Sequence, residues 1–252
     1  MKKCILLVVA ALIVLPALGF SDTFSVRVGY LVPSAASDLW KTEFDNLSFL
    51  KSDFQSTIFG VSYERFINRY MSFVLSVDTY SKARSGYYKD WVGYTFDEGD
   101  FAFPADKFNG DFSLIQTFSV SILPVQLSVK ITPTGRRGSF IPYFGGGVGM
   151  YIWNVRMLGD MVDFSDSSFV YTDPQLGDIQ VYPVTVVDAR EQNRISFGWQ
   201  AFAGVMVPVG QRMTVEGEFK YNYAKGKMNN FQNFQDFDLR GFQLSVGLSY
   251  WF

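Results

Sequence analysis

From Phe242 onward every second side chain is large and apolar: Phe242, Leu244, Val246, Leu248, Tyr250 and Phe252. Gln243, Ser245, Gly247 and Ser249 stand between them, and Trp251 is the one bulky exception. A period of two puts successive side chains on opposite faces, so the stretch reads as a strand with one oily and one polar face. Seven further segments carry the same pattern: 23–32, 57–67, 70–81, a fourth ending at Ile131, then 140–155, 195–207 and 213–223. The seventh alternates most cleanly, with Met213, Val215, Phe219, Tyr221 and Tyr223 set against Thr214, Glu216, Glu218, Lys220 and Asn222. In the fourth, Val125, Leu127, Val129 and Ile131 are apolar, whereas upstream Phe118, Val120 and Ile122 hold the opposite parity. The phase changes at Leu123-Pro124, and since proline cannot donate to a ladder, a bulge or kink is expected there.

Such alternation suits a soluble sandwich or a membrane barrel, and the connections separate the two. They are short after the second, fourth and sixth strands and long after the first, third, fifth and seventh. That asymmetry is expected when one rim faces the periplasm and the other the outside. Composition agrees: 26 Phe, 14 Tyr and 5 Trp sit in a chain whose mean hydropathy is only +0.08, because alternation dilutes the oily residues. The expectation is an all-β fold, an eight-stranded antiparallel up-and-down transmembrane β-barrel with short periplasmic turns and long extracellular loops.

The aromatic-ended last strand resembles the closing strand of bacterial outer-membrane barrels. The stretch from Ile141 to Tyr151, with Pro142-Tyr143-Phe144 followed by Gly145, Gly146, Gly147 and Gly149, is similar to the proline-tyrosine-glycine strand of small barrels of the OmpW and OmpA-like type; Leu123-Pro124-Val125-Gln126-Leu127 also looks like that group. The resemblance implies a non-enzymatic envelope protein or a conduit for small or hydrophobic solutes. It implies outer-membrane lipid and the barrel-assembly machinery as partners, with Phe242, Leu244, Val246, Leu248, Tyr250 and Phe252 as the assembly signal. This chain has an unusually long third loop and lacks the periplasmic peptidoglycan-binding domain of OmpA, so peptidoglycan anchoring is not implied.

Lys2 and Lys3 precede an apolar run from Ile5 to Leu18, and Ala17-Leu18-Gly19 is a small-x-small pattern. This reads as a cleaved signal peptide over residues 1–19, with cutting before Phe20 as first choice and after Ser21 as the alternative. The run is too short for a spanning helix. Residues 20–252 then form one barrel domain in the outer membrane of a diderm bacterium. The single cysteine, Cys4, falls in the leader, so the remainder has neither disulfide nor thiolate chemistry.

The inward faces carry Arg27, Glu64, Asp78, Lys130, Glu216, Glu218 and Lys220. Eight strands leave an interior just wide enough for side chains, so these charges must pair or stay hydrated. They read as a structural salt-bridge core, or as the lining of a narrow polar path for a small solute. Gly145, Gly147 and Gly149 suit both, since they make room for long opposing side chains or leave a gap.

The chain has no histidine. That removes Ser-His and Cys-His catalysis and the usual zinc sites. Glu216 and Glu218 are explained better by structural pairing than by catalysis. No catalytic residue, cofactor or metal is therefore assigned, and no basic patch points to nucleic acid.

The loops are the remaining surface. In the first, Ser37-Asp38-Leu39-Trp40 reads as a helix start with Ser37 as cap. The second, 82–110, is rich in aromatics. The third, 156–194, holds Asp160, Asp163, Asp166, Asp173, Asp178, Asp188 and Glu191 against Arg156, Arg190 and Arg194. No EF-hand spacing is present, so these acids read as a solvated loop rather than a calcium site. A hairpin is expected within it, with arms at 169–172 and 179–187 around Asp173–Asp178, and with Pro183 placing the second arm at an edge or a bend. The alternative function is therefore a surface adhesin or receptor-like module acting through these loops.

Overall fold

The computed structural model describes residues 22–96, 99–136, 138–231 and 234–252. The leader expected over residues 1–19, with Cys4, lies outside the described residues. In chain order the elements are β1 (Asp22–Pro33), α1 (Asp38–Asn46), a 3-10 turn (Lys51–Phe54), β2 (Ser56–Phe66), β3 (Met71–Tyr87), β4 (Trp91–Phe96) and β5 (Gly99–Pro104). There follow β6 (Ile115–Ile131), β7 (Ile141–Val162), β8 (Val170–Asp173), β9 (Gly177–Gln180), β10 (Tyr182–Pro208), β11 (Met213–Gly226), β12 (Phe237–Asp238) and β13 (Gly241–Trp251).

Among the described residues, eight of these strands close a ring: β1-β2-β3-β6-β7-β10-β11-β13 and back to β1, antiparallel at every step. At the short-turn rim the backbone pair Asp22–Phe252 extends the closing seam, with N···O distances of 3.0 and 3.2 Å. Phe242, Leu244, Val246, Leu248, Tyr250 and Phe252 all stand exposed on the outside, while Gln243, Ser245 and Ser249 are buried. Exposed apolar side chains continue around the wall through Val26, Phe59, Phe73, Leu127, Val148 and Phe219. Charges lie inside and oil outside, the polarity of a barrel that meets lipid.

Two expectations about the strands are corrected. The fourth ring strand, β6, has no bulge at Leu123-Pro124. It pairs Val125 with Val77 and Ile122 with Tyr80, which is one continuous register, and its ladder to β7 runs through Leu123 and Pro124 without a shift. Pro124 interrupts rungs to β3 but not the alternation. Phe118 and Val120 therefore face inward, like Gln126 and Lys130, and are fully buried. The phase change marks a change in what fills the barrel. The register shift instead lies in β10, between Glu191 and Arg194, where Asn193 takes φ 51°.

Strand length is the other correction. A crossing needs about 9–11 tilted residues, and β1, β2 and β13 have 12, 11 and 11. On the opposite side β3 and β6 have 17 each, β7 has 22 and β10 has 27. These four continue as a sheet beyond the oily band. There the outer face turns polar, through Thr79, Ser81, Ser119, Ser121, Asn154 and the Arg156–Asp188 pair. The inner face turns apolar at the same level, through Tyr80, Phe118, Val120, Tyr151, Trp153 and Val155.

Onto the tall side folds a headpiece. β4 and β5 form a hairpin that joins β10 through Tyr182 and Pro183. The expected hairpin of the third loop is present as β8 paired with β9. Its second arm is shorter than expected: it ends at Gln180, and Tyr182 opens β10. From Val184 that strand pairs with β7, so Pro183 sits where the pairing partner changes. Phe101, Phe103, Ile179 and Val181 form a core between the hairpins, with Tyr94, Phe96, Phe108 and Tyr171 packed against it.

Candidate functional site

The lumen brings all seven charged residues of the sequence reading together, each no more than 8% exposed. Alternation explains the convergence: β1, β2, β3, β6 and β11 each point their polar parity inward, and the ring is narrow enough for long side chains to meet across it. Arg27 donates from Nε to Asp78 Oδ1 at 2.8 Å and from a terminal nitrogen to Oδ2 at 3.2 Å, a bidentate pair. Lys220 Nζ reaches the same Asp78 Oδ2 at 3.0 Å. Glu218 Oε1 lies 3.4 Å from Arg27 and 3.5 Å from Lys220.

A second group sits nearer the short-turn rim. Lys130 Nζ donates to Glu64 Oε2 at 2.9 Å and lies 3.9 Å from Glu216. The second oxygen of Glu64 accepts from Ser72 Oγ. Three cations thus face four carboxylates, and Asp78 and Glu218 each serve both Arg27 and Lys220. Charges buried this deeply are tolerable only when paired and hydrogen-bonded.

Several partners carry no charge, so charge alone does not reveal them in the sequence. Tyr143 donates to Glu218 Oε2 at 3.2 Å, and its ring lies 4.1 Å from Lys130 Nζ. Above the ions, Gln126 Nε2 donates to Asn222 Oδ1 and Tyr151 Oη, both at 2.8 Å. Gln200 donates to Ser128. Parity was the available signal: Tyr143 and Tyr151 share the face of Gly145, Gly147 and Gly149. Those glycines are close approaches rather than a gap. A Cβ on Gly145 would meet the Phe202 ring at 2.4 Å, and one on Gly147 would meet Leu127 O at 2.1 Å.

The outer half of the lumen is filled by loop residues. Helix α1 drops Leu39, Trp40 and Glu43 into it. Trp40 packs against Phe54, Phe118 and Phe237 at centroid distances of 4.9, 5.0 and 5.4 Å. Ser37 stands at the N-cap position as expected, but its hydroxyl makes no cap bond; it accepts from Asp238 N at 3.3 Å and ties the first loop to the last. Glu43 is buried here and accepts from Gln116 Nε2 at 3.1 Å. Burial pushes its carboxyl up to about 8, and the Gln116 bond opposes that only in part.

The filling leaves little space. A void of about 10 Å³ remains in the ionic layer and one of about 20 Å³ at its junction with the apolar layer, each room for roughly one water. The acids of the third loop hold its own turns: Asp163, Asp166 and Asp173 accept from the backbone N–H of Ser165, Ser168 and Gln175. Among the described residues no group of three or more acidic or sulfur ligands is placed to hold a metal ion.

No protein-family model and no curated protein matches the sequence. Solved structures do. The chain is similar to Neisserial surface protein A, with 14% identity and a TM-score of 0.44 over 92% of this chain and 97% of that one. It is similar to the outer membrane protein OprG from Pseudomonas aeruginosa, with 12% identity and a TM-score of 0.47 over 92% and 96%. Against E. coli outer membrane protein W the values are 14% and 0.39 over 93% and 100%. These likenesses concern general fold. The ring closure, the oily outer band and the buried ionic layer of this chain make it a small eight-stranded β-barrel of the outer-membrane type.

Proposed function

We propose that this chain is a non-enzymatic outer-membrane barrel, closed to solutes, that holds a folded headpiece above the membrane as a surface-binding module. The observation that carries this reading is the continuous filling of the lumen, ionic below and aromatic above, with loop 1 seated in the outer half. Passage of a solute would require α1 to leave the barrel and the Asp78 and Glu64 pairs to part. The absence of histidine and the engagement of Glu216 and Glu218 with cations support the non-enzymatic part.

The tall sheet that carries the headpiece also offers a surface. Tyr87, Ile115, Leu158 and Val186 stand exposed on the outer face of the tall sheet, above its polar band. Exposed apolar clusters of this kind mark contact sites. Planar-bilayer recording of refolded protein tests the closed lumen: no steady conductance is expected, and openings that change with Lys220→Met would overturn it. Deleting residues 163–181 should abolish surface attachment while the barrel stays folded. Attachment that survives the deletion would remove the headpiece from the proposal.

For biogenesis, the oily face of β13 supports its proposed role as the signal read by the barrel-assembly machinery, after export through the leader. Loss of Phe252 also removes the backbone pair with Asp22 that extends the seam.

A further inference from the structure

At the short-turn rim a cavity of about 380 Å³ lies between the β6–β7 and β10–β11 turns. Its lining includes Arg136, Ser139, Gly210, Gln211, Thr214 and Trp251. It is far larger than the voids in the lumen above, and it is polar without being self-satisfied. Arg136 donates from one terminal nitrogen to Asn68 O at 3.3 Å, and its guanidinium lies over the Phe66 ring. Its Nε is buried and, among the described residues, has no hydrogen-bond partner. The nearest acid that acts on it is Glu64, whose two oxygens are already taken by Lys130 and Ser72.

A guanidinium fork seated over a ring, with donors to spare and no carboxylate of its own, suits an oxyanion. The surrounding charge points the same way. The three short turns, 67–70, 132–140 and 209–212, carry Arg69, Arg136, Arg137 and Arg212 and no acidic residue. Arg69 and Arg212 turn to Tyr70 and Tyr250 on the outside, which leaves Arg136 as the cation that lines the cavity among the described residues.

We propose that this periplasmic mouth is a binding site for a phosphate group, gripped by Arg136 with Ser139 and Gln211 as further donors. Burial lowers the Arg136 guanidinium to about 10, the direction of a cation that lacks counter-charge, yet leaves it protonated at neutral pH. The phosphate comes either from solution or from the headgroup of a phospholipid in the facing leaflet.

Refolded full-length protein in dodecyl maltoside, a phosphate-free detergent, separates the sources. One series is titrated with inorganic phosphate and the other with short-chain phosphatidylglycerol, and binding is followed by calorimetry and by phosphorus NMR line broadening. Saturable binding of either probe is expected, and the probe that binds names the source. Arg136→Gln should weaken it by about tenfold or more, the scale of a lost charge-assisted pair. Ser139→Glu, which keeps the arginine but puts a like charge beside the anion, should weaken it comparably. Arg156→Gln, on the far side of the membrane, should bind as wild type. Heat-modifiability on gels confirms that each variant is a folded barrel. Absence of saturable binding for both probes, or binding indifferent to Arg136→Gln and Ser139→Glu, would overturn the proposal.

Discussion

The lower and upper halves of this barrel are built on the same strands and solve opposite problems. In the lower half Leu127 and Val148 face out while Gln126, Ser128 and Lys130 face in. In the upper half Ser119, Ser121 and Asn154 face out, and Phe118, Val120 and Trp153 face in. β6 passes from one regime to the other without changing register. The surroundings set the choice: where lipid wets the outside, polar groups must find partners within, and where water wets it the interior is free to become an ordinary aromatic core. The level at which both faces exchange polarity, between Gln126 and Ile122 on β6 and between Gly149 and Trp153 on β7, is thus the outer boundary of the membrane.

The hardest blow to the lower half is the removal of a shared carboxylate. Asp78→Ala leaves Arg27 and Lys220 without their best partner in a site that water cannot easily enter. Breaking one buried pair costs about 3–5 kcal/mol, and this change, which breaks two, should fall at or above the top of that range. Urea unfolding in lipid vesicles measures it. A loss under about 1 kcal/mol, the worth of an exposed pair, would mean that the ionic layer is hydrated rather than packed.

In the upper half the corresponding change is Trp40→Ala. Deletion of a buried aromatic costs about 3–5 kcal/mol, and the loop that carries Trp40 has freedom to settle, so the low end is expected. The loss should appear as early protease cutting in 34–55 while the barrel still resists heat in detergent. Simultaneous collapse of both would show that the two halves unfold as one unit.

The two halves differ on their outer faces as well. Val246, at mid-height on β13, and Val186, above the boundary on β10, are both exposed valines. Val246→Arg should cost about 2–4 kcal/mol because it puts a charge in lipid. Val186→Arg should cost under about 0.5 kcal/mol, as at any wet surface. Equal penalties would move the boundary drawn here.

These tests bear on what the sequence could disclose. Parity located all seven ionic residues, because a strand of known phase has only two faces and the charged face of a membrane wall has one place to go. The same rule, applied to Phe118 and Val120, pointed to a bulge or kink at Pro124, because it assumed that lipid lay outside along the whole strand. Nothing local marks where lipid stops; the change of phase was itself the mark. The plug was harder to see. Ser37-Asp38-Leu39-Trp40 announced a helix, but only the inward aromatic wall of β6 and β7 shows that Trp40 has somewhere apolar to go. Tyr143 and Gln126 carry no charge and so give no electrostatic signal, although they complete the network. Arg136 lies in a turn, where neither period applies, and its unmet donor emerges only from three-dimensional packing.

The last expected effect is one of pH, where a polar group has entered the upper half. Glu43 is buried among aromatics with Gln116 as its side-chain partner, and Gln116 in turn accepts from Tyr88 Oη at 3.0 Å. Burial raises Tyr88 to about 12, so it stays neutral across the physiological range, while Glu43 at about 8 does not. An unfolded glutamate titrates near about 4.3. Between that value and about 8 the folded protein therefore holds one proton more than the unfolded chain. Stability should be highest below the lower value, fall as pH rises, and level off above the upper one. One proton gives a slope of at most about 1.4 kcal/mol per pH unit. Unfolding midpoints at pH 6.5 and 7.5 should differ accordingly in the wild type and coincide in Glu43→Gln, which keeps the hydrogen bond to Gln116 and cannot ionise. An unchanged slope in Glu43→Gln would assign the pH dependence to the ionic layer below, and Glu43 would then belong with the wet surface rather than the core.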